Sequence, residues 1–151
     1  MQQLKPWQRL LLLLLVTLSL AIAPAASWAA GADGVVDVYF FHSESCPHCR
    51  EQMLLMQDID TYNEDVDVHI IEIEVSQETG KYRQYLQENN IQTAVVPRTA
   101  IGDFSFSGYG PTSGPREYIE AYSGYVGHRN QIVMAISEAV GRDIYSGAHL
   151  S

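Results

Sequence analysis

The tetrapeptide Cys46-Pro47-His48-Cys49 contains both cysteines of the chain, and its position constrains the fold more than any other feature. An apolar run at 35–41 precedes it by one turn, His42-Ser43-Glu44-Ser45, and a helical pattern follows it. A CxxC pair between a strand and a helix is the arrangement of a dithiol that cycles between oxidised and reduced states. With Cys46 near the helix N-terminus, backbone N–H groups and the helix dipole stabilise its thiolate. The motif therefore points to thiol–disulfide exchange.

The N-terminus carries a second signal. Lys5 and Arg9 precede a nearly all-apolar run at 10–23, Pro24 breaks it, and Ser27-Trp28-Ala29 supplies small residues where a signal peptidase reads. This predicts a signal peptide over 1–29 cleaved after Ala29, leaving a domain over 30–151. The alternatives are an uncleaved N-terminal membrane anchor, although the run is short of the roughly 20 apolar residues a span needs, or a buried helix. Either export reading places the domain in the periplasm or another extracytoplasmic space.

Cleavage leaves 122 residues, enough for one domain with a sizeable core. It removes two basic residues and no acidic ones, so the formal charge moves from -9 to -11. That balance argues against a nucleic-acid or anionic-membrane surface. An oxidising compartment makes a disulfide expected in a two-cysteine chain. A bridge between Cys46 and Cys49 closes too small a loop to add much fold stability, so catalysis is its better use.

Along the mature chain, 35–41 reads as a largely buried strand and 47–62 as a helix, with Pro47 tolerated in its first turn. Leu55, Met56, Ile59 and Tyr62 form the helix's expected buried stripe. Residues 66–73 read as a second strand, apolar on both faces and so expected beneath helices on both sides. A second helix is expected over 77–89, with Tyr82, Tyr85 and Leu86 as its apolar spacing. Strand, crossover helix and parallel strand make a βαβ unit with the cysteines at the carboxyl edge of its first strand. Residues 99–104 look like a strand entering a tight turn, and the Gly/Pro-rich stretch 108–115 an irregular loop. A short edge strand over 117–123 and a last helix over 130–142 complete the chain. That helix is expected to bury Ile132, Val133, Ile136 and Val140, with Gly141 at its stop.

The strand before Cys46-Pro47-His48-Cys49, Val96-Pro97, Thr99-Ala100-Ile101-Gly102 and Tyr122-Ser123-Gly124-Tyr125 together resemble the thioredoxin-like superfamily. The resemblance spans about residues 35–142. It implies an α/β fold with a central mixed four- or five-stranded sheet flanked by helices. It also implies a cis peptide at Pro97 beside the dithiol, and Val96 pairing its backbone with extended substrate. Pro47-His48 is the dipeptide of the bacterial disulfide oxidase family DsbA, whose inserted helical domain has no room between 73 and 97 here. Many members place an acidic residue six positions before the first cysteine, where it assists proton transfer at the second. This chain has Phe40 there, leaving Glu44 or Glu51 as substitutes.

These readings assign the chemistry to four residues. Cys46 is the nucleophile, because the resemblance implies that the first cysteine is exposed and the second covered. Cys49 resolves the mixed disulfide. Pro47 opens the helix, and His48 lowers the Cys46 thiol pKa through a positive or dipolar imidazole. Val96 and Pro97 form the substrate-binding edge. Arg98 either adds local positive potential or faces solvent, and His42 merits attention for its nearness in sequence. The tyrosines at 109, 118, 122 and 125 either line a peptide groove or pack, and 105–116 is a candidate specificity element or a plain connection. A zinc site from Cys46, Cys49, His42 and His48 is disfavoured, since only two cysteines are present. No metal or bound cofactor is expected beyond the redox disulfide itself.

The function expected is a protein thiol–disulfide oxidoreductase acting on cysteine-containing exported proteins, as an oxidase or isomerase, with a membrane or soluble redox partner. The alternatives are a reductase fed by a membrane electron donor, and a non-catalytic binding or chaperone-like module. Reduction of a small oxidant such as a peroxide has no supporting residue pattern.

Overall fold

A computed structural model describes residues 35–63 and 68–144. The signal segment expected over 1–29 and Val66 of the expected second strand lie outside the described residues. Among the described residues, no helix is long and apolar enough to cross a membrane.

The β-branched and aromatic run after Val35 forms β1 (Val36–His42), whose alternating side chains serve two cores. Val36, Val38 and Phe40 join one cluster with Leu55, Met56 and Ile59 of helix α1 (Pro47–Tyr62) and Ile132, Ala135 and Ile136 of helix α3 (Arg129–Val140). Phe41 points the other way, into a cluster with Tyr82 and Tyr85 of helix α2 (Thr79–Glu88), Ile73 and Ile91. Its ring lies 4.9 and 4.7 Å from those of Tyr82 and Tyr85. Phe40, Phe41 and Phe106 are wholly buried, and each such side chain stabilises the fold by about 1.5–3 kcal/mol.

The sheet has six strands in the order β2-β1-β3-β4-β6-β5. They are β2 (Val68–Glu74), β3 (Arg98–Ile101), β4 (Phe104–Gly110), β5 (Tyr118–Ile119) and β6 (Gly124–His128), besides β1. β1 runs parallel to β2 and antiparallel to β3, and β4 runs parallel to β6. This is an α/β fold with a mixed sheet flanked by helices on both faces, consistent with a thioredoxin-like arrangement. The edge strand expected over 117–123 is β5 followed by a 3₁₀ turn over Glu120–Tyr122, and left-handed Ser123 (φ 45°) then leads into a further strand, β6.

Local chemistry moves other boundaries. β2 is an edge strand paired only with β1, so of its residues Ile73 alone is fully buried, against the expectation of cover on both faces. α2 starts at Thr79 rather than 77 because the Glu74 carboxylate accepts from the backbone N–H groups of Ser76 (2.9 Å) and Gln77 (2.8 Å), holding them in a turn. At the end of α1, Tyr62 is exposed rather than part of the stripe, and Gln52 is buried in the helix instead. Gly108 and Gly110 lie inside β4, not in a loop: Gly108 (φ 73°) sits where the β4–β6 register shifts, as a bulge does. In α3, Ile132 and Ile136 are buried while Val133 and Val140 pack partly exposed, and Gly141 closes the helix at φ 80°.

Candidate active site

Cys46 stands at the junction of β1 and α1. Its amide donates to the Ser43 carbonyl at 3.1 Å, closing the turn, and its extended backbone makes it the N-cap of α1. Pro47 follows at the first helical position, where a missing N–H costs nothing. The Cys46 Sγ accepts from the Cys49 amide at 3.2 Å, so the thiol itself caps the helix. That places sulfur at the positive end of the helix dipole.

The second cysteine lies one turn further in. Cys49 is 1% exposed against a partly exposed Cys46, and both are free thiols. Burial pushes the Cys49 thiol up to about 12, a hydrogen bond with Cys46 adds to the rise, and the Ser43 N–H opposes it. One sulfur is thus open to a substrate while its neighbour is shielded and held as a thiol.

Opposite the dithiol, the Val96–Pro97 peptide is cis. The Cys46 thiol faces the Val96 carbonyl, with Sγ to O at 3.8 Å. Two interior contacts hold this edge in place. The Gln52 amide of α1 donates to the Thr99 hydroxyl of β3, tying the cysteine helix to the strand that follows Pro97. Arg98, expected either as a local positive field or in solvent, is wholly buried. Its guanidinium donates to Ser105 Oγ (2.8 Å), the Tyr122 carbonyl (2.8 Å) and the Thr93 carbonyl (3.4 Å). It therefore fastens the approach to Pro97 to β4 and to the 3₁₀ turn.

The structure brings Cys46, Cys49, Val96 and Pro97 together. His48 stands on the outer surface of α1 with its side chain 67% exposed, its Nδ1 3.6 Å from Glu51 Oε2. Glu51, one of the two carboxylates considered for proton transfer, therefore faces His48, and Phe40 is an apolar core residue. Of the tyrosines, Tyr109 is buried and Tyr125 packs against Phe104, Phe106 and Tyr118. Tyr118 and Tyr122 are exposed. The stretch 105–116 is half strand; its remainder is latched to α3, where Asn130 and Gln131 donate to the Gly114 carbonyl and Arg116 pairs with Glu138 at 2.8 Å. Among the described residues, no three His, Cys, Asp or Glu side chains group to hold a metal ion.

The burial of Gln52, Arg98 and His42 was not foreseen. A Cβ at Gly124 would meet the Ser105 carbonyl at 2.8 Å, Ser107 Oγ at 2.9 Å and Arg98 Nη1 at 3.2 Å, so glycine there leaves room for β4 and for the Arg98 guanidinium.

No family model matches the chain, and no curated protein matches it. A solved structure described as "Structure of a malarial protein" is similar to it at 12% identity and a TM-score of 0.44, covering 70% of this chain and 98% of that one. A likeness of that size carries no argument about function.

Proposed function

We propose that the chain is an exported protein thiol–disulfide oxidoreductase working through Cys46 and Cys49 on cysteines of other proteins. The observation that supports this best is the asymmetry of the pair: a partly exposed sulfur capping a helix beside the Val96 carbonyl, and a buried sulfur one turn behind it. In the oxidising direction, a substrate thiolate attacks Cys46 Sγ of the protein disulfide and Cys49 leaves with the electron pair. A second substrate thiolate then displaces Cys46, so the substrate gains a disulfide and the protein gains two thiols. Export and the Pro47-His48 dipeptide favour this direction and an oxidase or isomerase.

Extended substrate beside Cys46 has the Val96 backbone as its hydrogen-bonding edge. The reductase reading has its own support: only α2 and a short approach lie between β2 and Pro97, leaving a small domain suited to a membrane electron donor.

Two variants test the proposal on a reduced, unfolded substrate protein. With oxidised glutathione supplied as the oxidant, Cys46→Ser abolishes exchange, and Cys49→Ser, first glutathionylated at Cys46, passes to a mixed disulfide with a substrate cysteine as glutathione leaves, seen as a covalent adduct that reductant releases. Full exchange by Cys46→Ser would contradict the mechanism and favour a binding module.

A further inference from the structure

The thiol–disulfide reading leaves one chemical demand unmet. To resolve a mixed disulfide, Cys49 must become a thiolate, yet burial, the chief cause of its raised thiol in the dithiol, still opposes the charged form when Cys46 is bonded to substrate. A base that takes the proton as the sulfur attacks removes that obstacle. Phe40, which lies under the helix, has no group to offer.

His42 is placed for that task. It is the last residue of β1 and shares the face of Phe40, with the two rings stacked at 5.1 Å and 19°. The residue is only 8% exposed. A buried histidine normally has its nitrogens satisfied by the protein. Here, among the described residues, neither ring nitrogen has a hydrogen-bond partner, and neither is among the polar atoms sealed away without one. The nitrogens therefore reach water through the opening that His42 lines. That opening is a cleft of about 420 Å³, which Cys49 also lines. It is large enough to hold water against both residues.

The charged groups around the ring come from three elements. Glu44 in the preceding turn, Arg50 on α1 and Glu72 on β2 line the same cleft, and Glu74 is the β2 register partner of His42. Glu74 is already held by Ser76 and Gln77. Glu44 and Glu72 are exposed at the rim, and a carboxylate is a weaker base than an imidazole by about two pKa units. They suit the passage of a proton to solvent better than its removal from a buried thiol.

We infer that His42 is the acid–base residue of Cys49, exchanging its proton through water in the cleft that both residues line. The role rests on the exchange reading above. In the resolving step the Cys49 S–H proton passes to the imidazole and the Cys49 sulfur attacks Cys46 Sγ. The Cys46–Cys49 bond forms and the bond from Cys46 to the substrate sulfur breaks. The substrate thiolate leaves with the electron pair and is protonated from the imidazolium or water. Two electrons pass from the protein dithiol to the substrate disulfide. In the reverse direction His42 returns the proton to Cys49 as it leaves.

The test prepares the full chain with Cys46 blocked as a mixed disulfide with glutathione and follows glutathione release across pH. In His42→Gln, release at pH 7 falls about 100-fold, the scale of a lost general base, and then rises in proportion to hydroxide. Release within about twofold of the unsubstituted chain with an unchanged pH profile, or an equal loss in Glu44→Gln alone, would overturn the assignment. A second measurement needs no variant: the NMR titration of the His42 ring shifts between the dithiol and disulfide states, because only one contains the Cys49 proton. Identical curves would overturn it. Failure of the unsubstituted chain to form any Cys46 mixed disulfide would be a distinct result, overturning the exchange reading and this role with it.

Discussion

Arg98 carries a full charge in the interior, and among the described residues its partners are the Thr93 and Tyr122 carbonyls and the hydroxyls of Ser105 and Tyr82, with no carboxylate. Burying a charge costs several kcal/mol, and the fork of a guanidinium recovers it by reaching several acceptors at once. Arg98→Lys keeps the charge and loses the fork, so it destabilises the protein by about 3 kcal/mol. Arg98→Met removes the charge and leaves only neutral acceptors short of donors, at about 1–2 kcal/mol. Urea unfolding checks the order, and a lysine variant as stable as the unsubstituted chain would contradict this view of the site. The sequence could not announce this residue. An arginine after a proline reads as exposed, and the glycine that admits it lies 26 positions away. Cys46 and Cys49 were legible because their spacing and chemistry are local, whereas the cis peptide at Pro97, 48 positions beyond Cys49, was expected only from the family resemblance.

At the scale of elements, β4 and β6 approach so closely that glycine is required on one side. A Cβ at Gly127 would run into the backbone carbonyl of Gly108. Gly127→Ala therefore forces the strands apart and costs about 3 kcal/mol, the upper end of ordinary overpacking. A thermal melt shows it as a clear drop in Tm; an unchanged Tm would mean that the pairing is looser than described. The same glycines explain a misreading. Gly108 and Gly110 punctuate the sequence like a loop, whereas a glycine within a strand also marks a bulge. The helices were more legible. A period of 3.6 gave α1 its full extent, but counted the exposed Tyr62 into the buried stripe and passed over the buried Gln52. β2 was over-read as central because its apolar residues alternate on both faces, while only pairing partners decide which strand is the edge.

For the whole molecule, redox state and pH are linked through Cys49. Its thiol is held at about 12 in the folded chain, against about 8.5 in an unfolded one. Below about pH 8.5 both states keep the proton and this contribution to stability is complete; as pH rises toward 12 the unfolded chain ionises first and the contribution is lost. Tyr82 and Tyr85, raised chiefly by burial, act in the same direction. Forming the disulfide removes the Cys49 thiol but not the phenols. Oxidised protein should therefore lose less stability than reduced protein between pH 7 and 10, measured by urea unfolding of both forms. An equal loss would mean that Cys49 is not shielded.

The central claim is that Cys46 and Cys49 form a redox couple that passes disulfides to other proteins. Its most direct test is the reduction potential of the full chain equilibrated with glutathione buffers, read by thiol alkylation and mass. The expected result is a reversible two-electron transition near the roughly -120 mV of strong protein oxidants. A value near the roughly -270 mV of thioredoxin would contradict the oxidising direction, and the absence of a reversible transition would contradict the couple itself.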